Sequence, residues 1–389
     1  MYLTKGPYLQ KPEKDAILIL WETDCDSVGE VHVYDSYLPH VPKTATRETG
    51  EVKVFRSETA GRLHMVRVDG LNAGTEYVYE VLCESDDNHL SSGKATFRTA
   101  PEKDAAFSFV LTAEHGGVGN PNNPYLPPIR ELIRRERPDF IQSVGDLTRN
   151  GTRESDWDTY LFTPFRQMLR GVPLYPCTSN HELEANATCV PPERRKVHYR
   201  NYDRYFAFPH TYSYDYGCAH FCVLDCLDFF THIENTKQDS YIPCLRPDWK
   251  VSETYQFLEQ DLRGSNAKWK FVVFHYPPYT SSQYDVRELR VLTPLFEDCG
   301  VDVVFNSHAI VYERTHPIKE DAVHPDGVRY VLVGGYEDFD RWFWEKRNPL
   351  TAKLAGRPNY VYVSLSPWRF ELQAIDYEGN LFDQLVIEK

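Results

Sequence analysis

Four runs of strand-forming residues each end in side chains that can bind a divalent metal. PDFIQSVGD ends at Asp146, VPLYPCTSNH at Asn180 and His181, KWKFVVFH at His275, and VDVVFNSH at His308. A carboxylate, an amide oxygen and two imidazoles make a plausible shell for one divalent ion. Each run follows a helix-like stretch, and open α/β sheets bind ligands at the carboxyl ends of their strands. The four ends are therefore expected to converge on one rim of a sheet.

Residues 1–102 read as all β. AILILWET, GEVHVYDS, LHMVRVDG, EYVYEVLC and KATFRTAP are short runs of strand formers separated by Asp, Gly and Asn, with no helical periodicity. About 100 residues of this kind suit a seven-stranded sandwich. TAPEKDAA reads as a linker into a second domain, residues 103–389, where strands and helices alternate. PPIRELIRRER places Ile129, Leu132 and Ile133 on one helical face, and DTYLFTPFRQMLRG does the same with Leu161, Phe165, Met168 and Leu169. SETYQFLEQDLRG and DVRELRVLTPLFEDCG precede the strands ending at His275 and His308. RYVLVGG, NYVYVSLS, RFELQAID and LFDQLVIE read as antiparallel strands. The expected domain is a large mixed two-sheet core flanked by helices, with long loops at 184–204 and 228–252.

The chain has 389 residues, 41% hydrophobic and 26% charged, and a formal net charge of −14. No basic stripe offsets that acidity, which argues against a nucleic-acid partner. No run approaches the roughly 18 apolar residues of a membrane span, and no secretory leader is read at Met1. Nine cysteines leave at least one unpaired. Cys218, Cys222 and Cys226 read as small core residues, whereas Cys189 and Cys244 lie in segments where they could pair. Oligomeric state is not legible.

The ordered blocks resemble the calcineurin-like metallophosphoesterases, and among them the purple acid phosphatases. Gly145-Asp146, Asn180-His181-Glu182, Val272-Val-Phe-His275 and His308 with Tyr312-Glu313-Arg314 match family blocks in order, and Gly6-Pro-Tyr-Leu-Gln10 matches a common family opening. The resemblance implies a fibronectin-III-like β-sandwich followed by an α/β metallophosphoesterase domain. It also implies hydrolysis of a small-molecule phosphate monoester, or a related phosphoryl bond, by metal-bound hydroxide. Asp146, Asn180, His275 and His308 would hold one metal, for which zinc is the expected ion. His181 would stand beside the substrate, to protonate the leaving oxygen or bind the phosphoryl group. Export to the periplasm or outside the cell is a further implication.

Three departures affect the family's second metal. Its first-block Asp falls at Ala113 or Glu114, its Tyr is Arg149, and its second His is Ile310. Either the protein holds one metal, or Glu114 or His115 rebuilds the second site for zinc, copper, manganese or iron, or the site has decayed. Cys177 is a weaker candidate ligand. Arg149 is placed to clamp phosphate bidentately where the Tyr stood. The alternative to an enzyme is a non-catalytic phosphate- or metal-binding protein on a decayed phosphatase fold.

Overall fold

The computed structural model describes residues 1–34, 52–85, 88–116, 119–183, 198–235, 241–334 and 347–389. The amino-terminal part is a seven-stranded β unit. AILILWET and GEVHVYDS, read as separate strands, form one 18-residue strand, Ile17–Tyr34. Its first half pairs with Leu3–Gln10 and Gly61–Val68, and its second half with Val52–Arg56 and Glu76–Ser85. A single strand thus serves both layers. Alternate residues of these strands, including Ile17, Ile19, Trp21, Val31, Val33, Val66, Val68, Tyr79 and Val81, close a core of their own, as period-2 side chains facing one interior should.

The second domain has two sheets over a common core. One orders Leu174–Tyr175, Phe140–Ser143, Phe107–Thr112, Asn359–Ser366, Arg369–Asp376 and Leu381–Glu388. The other orders Tyr212–Tyr216, Ala219–Val223, Trp269–Val273, Val303–Asn306, Arg329–Leu332, Tyr312–Thr315 and Thr351–Ala355. Buried aromatics pack the two together; Phe109 meets Phe221 edge-on at 5.3 Å and Phe305 at 6.3 Å. Helix Leu126–Glu136 buries Ile129 and Ile133, and helix Thr163–Leu169 buries Phe165, Met168 and Leu169. Ser252 caps helix Glu253–Gly264 through the amide of Tyr255.

Several expectations need correction. The four metal-type strand ends do not lie on one sheet. Those leading to Asp146 and Asn180 belong to the first sheet, and those leading to His275 and His308 to the second. RYVLVGG is not wholly antiparallel, because Arg329–Leu332 runs parallel to Val303–Asn306. Residues 184–197 and 236–240 of the two expected loops lie outside the described residues, and the described parts are not simply loops. They include helix Arg200–Tyr205 and the antiparallel pair Phe230–Asn235 and Tyr241–Leu245. Cys218, Cys222 and Cys226 are buried, as small core residues should be, although Cys226 sits in a 3₁₀ turn beyond the strand. Cys189, expected as a possible partner of Cys244, lies outside the described residues.

The Gly6-Pro-Tyr-Leu-Gln10 block joins the two domains. Tyr8 Oη and Gln10 Nε2 both donate to the Tyr205 carbonyl, at 2.9 and 2.8 Å, and Gln10 Oε1 accepts the Ala207 amide at 2.8 Å. Beside them buried Lys5 pairs with Glu22 at 2.7 Å and with Asp158 at 3.2 Å. Arg204 reaches the same Glu22.

Candidate metal centre

Strands direct their last side chains to a shared edge, and backbone bonds tie the following loops together. The Glu114 amide donates to the Gly145 carbonyl at 3.2 Å, Gly116 to Asp146 at 3.0 Å, and Ser307 to His275 at 2.9 Å. At Gly145 (φ +97°) a Cβ would sit 2.6 Å from His275 Nδ1 and 2.9 Å from Ser179 Cβ, so only glycine allows the approach. Glu114, Asp146, His308 and Ile310 all have positive φ, at 64°, 58°, 67° and 54°. Such backbone strain gathers at functional sites because the surrounding structure must hold it.

Among the described residues, ligand atoms of Glu114, Asp146 and His275 lie within 4.8 Å of one another, all buried. His275 Nε2 is 3.4 Å from Asp146 Oδ1 and 3.9 Å from Glu114 Oε1. His275 Nδ1 donates to the Val144 carbonyl at 2.8 Å, which leaves Nε2 with a lone pair facing the cluster. His308 packs its ring 5.1 Å from that of His275. Asn180 Oδ1 and His275 Nε2 are buried with no hydrogen-bond partner among the described residues.

The electrostatics fit a cation. Burial, followed by the neighbouring Asp146, raises the Glu114 carboxyl to about 8. Burial also raises Asp146, against the pull of Glu114, Ser179 and Arg149. His275 and His308 are held below the ordinary imidazole range by burial. Carboxylates that resist ionisation beside imidazoles that resist protonation form a donor set poised for a positive ion. Donors and charge both fit a divalent metal.

The other candidates separate. Glu114, not Ala113, reaches the cluster, while the Ala113 side chain is buried in the core. His115 turns the other way and stacks on Phe165, with ring centroids 4.3 Å apart; burial and the Arg130 charge lower it to about 3. The strand ends at Thr112, and the left-handed backbone at Glu114 turns the chain there, so the two neighbours enter different surroundings. Cys177 Sγ points to the carbonyls of Thr178 and Leu224, 3.5 and 4.0 Å away. His181 Nδ1 donates to the Arg149 carbonyl at 2.8 Å, and its Nε2 lies 3.8 Å from Asp146 Oδ2. Burial, tempered by that hydrogen bond, lowers His181 to about 4. The Arg149 charge acts on both Asp146 and His181.

Sequence reasoning assigned no role to Ser179, Glu182 or Tyr284. The Ser179 hydroxyl bonds to the carboxylates of both Asp146 and Glu182. Tyr284 sets its ring edge-to-face with His308 at 5.2 Å. Glu182 left one signal, as the only charged residue between Val172 and Leu183.

A two-sheet α/β core with carboxylates and imidazoles gathered at its strand ends, behind an amino-terminal β domain, is the architecture of a metallophosphoesterase. Residues 110–312 match the family of calcineurin-like phosphoesterases, and the chain belongs to it. It is 25% identical over 339 residues to purple acid phosphatase 21 of Arabidopsis thaliana, covering 82% of this chain and 68% of that protein. Identity to acid phosphatase type 7 of Mus musculus is 24% over 367 residues, covering 83% and 76%. The solved structure of purple acid phosphatase PPD1 from yellow lupin seeds matches with a TM-score of 0.77 at 17% identity, covering 98% of this chain and 74% of that one. The chain spans 54% to 76% of the length of eight of the curated relatives it matches.

Proposed function

We propose that the protein is a metal-dependent phosphatase acting on a small phosphate monoester or related phosphoryl bond, with one divalent ion, zinc by preference, per chain. The observation that carries this is the buried convergence of Glu114, Asp146 and His275. Asp146, Asn180, His275 and His308 hold the ion, with Glu114 beside them. Ile310 offers no donor and the Arg149 guanidinium is a cation, so the family's second ion has lost two of its ligands. When bound, the ion supplies Lewis acidity and lowers the pKa of water toward neutrality. Arg149, at the cluster's edge, binds phosphoryl oxygens through its planar fork and supplies positive charge where the second ion would have stood. His181, oriented by the Arg149 carbonyl, presents Nε2 beside Asp146, where it touches a phosphoryl or leaving oxygen.

The test is elemental analysis together with turnover of a chromogenic phosphate ester, with Asn180→Ala and His181→Ala as controls. One ion per chain and metal-dependent turnover are expected, with loss of the ion in Asn180→Ala and its retention in His181→Ala. Two ions per chain would overturn the mononuclear reading. Metal-independent turnover would overturn the metal-dependent mechanism, and absence of turnover on a panel of esters would favour the second reading, a non-catalytic phosphate- or metal-binding protein, for which Ile310 and Arg149 are the supporting substitutions.

A further inference from the structure

Glu182 is fully buried next to the candidate ligands, and its carboxylate is already engaged. One oxygen accepts the Leu147 amide at 2.6 Å; the other accepts the Asp146 amide at 3.2 Å and meets the Ser179 hydroxyl. Ser179 Oγ also accepts the amides of Asp146 and His181, each at 3.1 Å, and bonds to Asp146 Oδ1. Successive amides converge on one anion where a turn aligns them, as in a nest with a left-handed residue, and Asp146, with φ +58°, adopts such a conformation. The backbone of Glu182 is itself held from behind. Gly151 donates its amide to the His181 carbonyl at 2.8 Å, and a Cβ at Gly151 would fall 1.6 Å from the Glu182 carbonyl oxygen.

We infer that Glu182, with Ser179, is a positioning residue for the metal centre: it holds Asp146 in the left-handed turn that aims its carboxylate at His275 and Glu114. It sets metal affinity without touching the ion. The inference rests on the metal-binding reading above.

The experiment is Zn²⁺ titration of the full chain by calorimetry, with the absorption spectrum of the Co²⁺-loaded protein recorded alongside. The proteins are the wild type, Glu182→Gln and Ser179→Gly, each checked for folding by circular dichroism without metal. In Glu182→Gln an amide NH₂ faces one of the two backbone N–H groups, so that contact becomes repulsive. Zn²⁺ affinity is expected to fall about 10- to 100-fold and the Co²⁺ spectrum to shift. Ser179→Gly should show a smaller loss in the same direction, and it carries the test alone if Glu182→Gln does not fold. Folded variants that bind Zn²⁺ like the wild type, with an unchanged Co²⁺ spectrum, would reduce these residues to ordinary fold elements and overturn the inference. A wild type that binds neither ion removes the metal reading first and the inference with it, so the wild-type arm separates the two failures.

Discussion

The Glu114 carboxylate accepts the amide N–H of His308 at 2.7 Å, joining residues 194 apart in the chain. The same oxygen accepts the Ser307 hydroxyl at 2.8 Å. One side chain therefore both contributes charge to the candidate metal centre and fastens the loop of one sheet to the loop of the other. Glu114→Gln keeps a carbonyl oxygen for these donors but removes the negative charge. Metal affinity is expected to drop about 10- to 100-fold with little change in melting temperature. Competition against a chromophoric chelator measures this, and unchanged affinity would place Glu114 outside the ion's environment.

His181 should matter to turnover far more than to metal content. His181→Ala is expected to lower kcat on a chromogenic phosphate ester by roughly 10² to 10⁴, the usual weight of a positioned proton-transfer group, while the bound metal stays at wild-type level. A parallel loss of metal would instead make His181 a support for the ligands.

Ile310 stands where the family carries its second His, yet its φ is +54°. That conformation suits His or Asn better than a β-branched side chain. Ile310→His should therefore be tolerated with no loss of stability, and combined with Arg149→Tyr it restores two missing donors. Elemental analysis is expected to rise from one ion to two per chain in the double variant. A value that stays at one would mean the second site was lost through backbone geometry as well.

The buried Lys5–Glu22 pair lies where the amino-terminal domain meets Arg204 and Asp158 of the second domain. Glu22→Gln leaves the Lys5 ammonium, 4% exposed, short of its main counter-charge. The expected cost is about 3 kcal/mol, read as a lower urea midpoint at constant slope. Lys5→Met with Glu22→Leu should recover most of it, because an apolar pair has no stranded charge; a double variant as unstable as Glu22→Gln would contradict this account.

His220 ties strand Ala219–Val223 to helix Glu253–Gly264 by bonding Asp215 and Asp261, each at 2.8 Å. Burial lowers its pKa, but the two carboxylates outweigh that and raise it to about 9. A folded pKa above the unfolded value of about 6.5 gives stabilisation that is complete below about pH 6.5 and is lost as pH rises through about 9. Allowing for partial solvent screening, the contribution is on the order of 1–2 kcal/mol. Urea midpoints of wild type and His220→Gln should differ most near pH 6 and converge by about pH 10; parallel curves across that range would sink the assignment.

The sequence alone determined the two-part architecture and the residue types at the strand ends. Period-2 alternation in residues 1–102 and alternating strands and helices beyond them are written in local side-chain chemistry. Asp146, Asn180, His275 and His308 stand out because Gly, Pro and small polar residues end the apolar runs beside them. Only the tertiary structure decided that these ends come from two sheets, since strand pairing is a long-range choice that local pattern does not encode. It also separated Glu114 from His115. The left-handed turn at Glu114, just beyond strand Phe107–Thr112, parts them once the chain is folded, with one side chain entering the cluster and the other stacking on Phe165. Glu182 was illegible as a clamp for the same reason: its partners, the amides of Asp146 and Leu147, are backbone groups 36 and 35 residues away, and a hydrogen bond to backbone leaves no mark on the partner's identity.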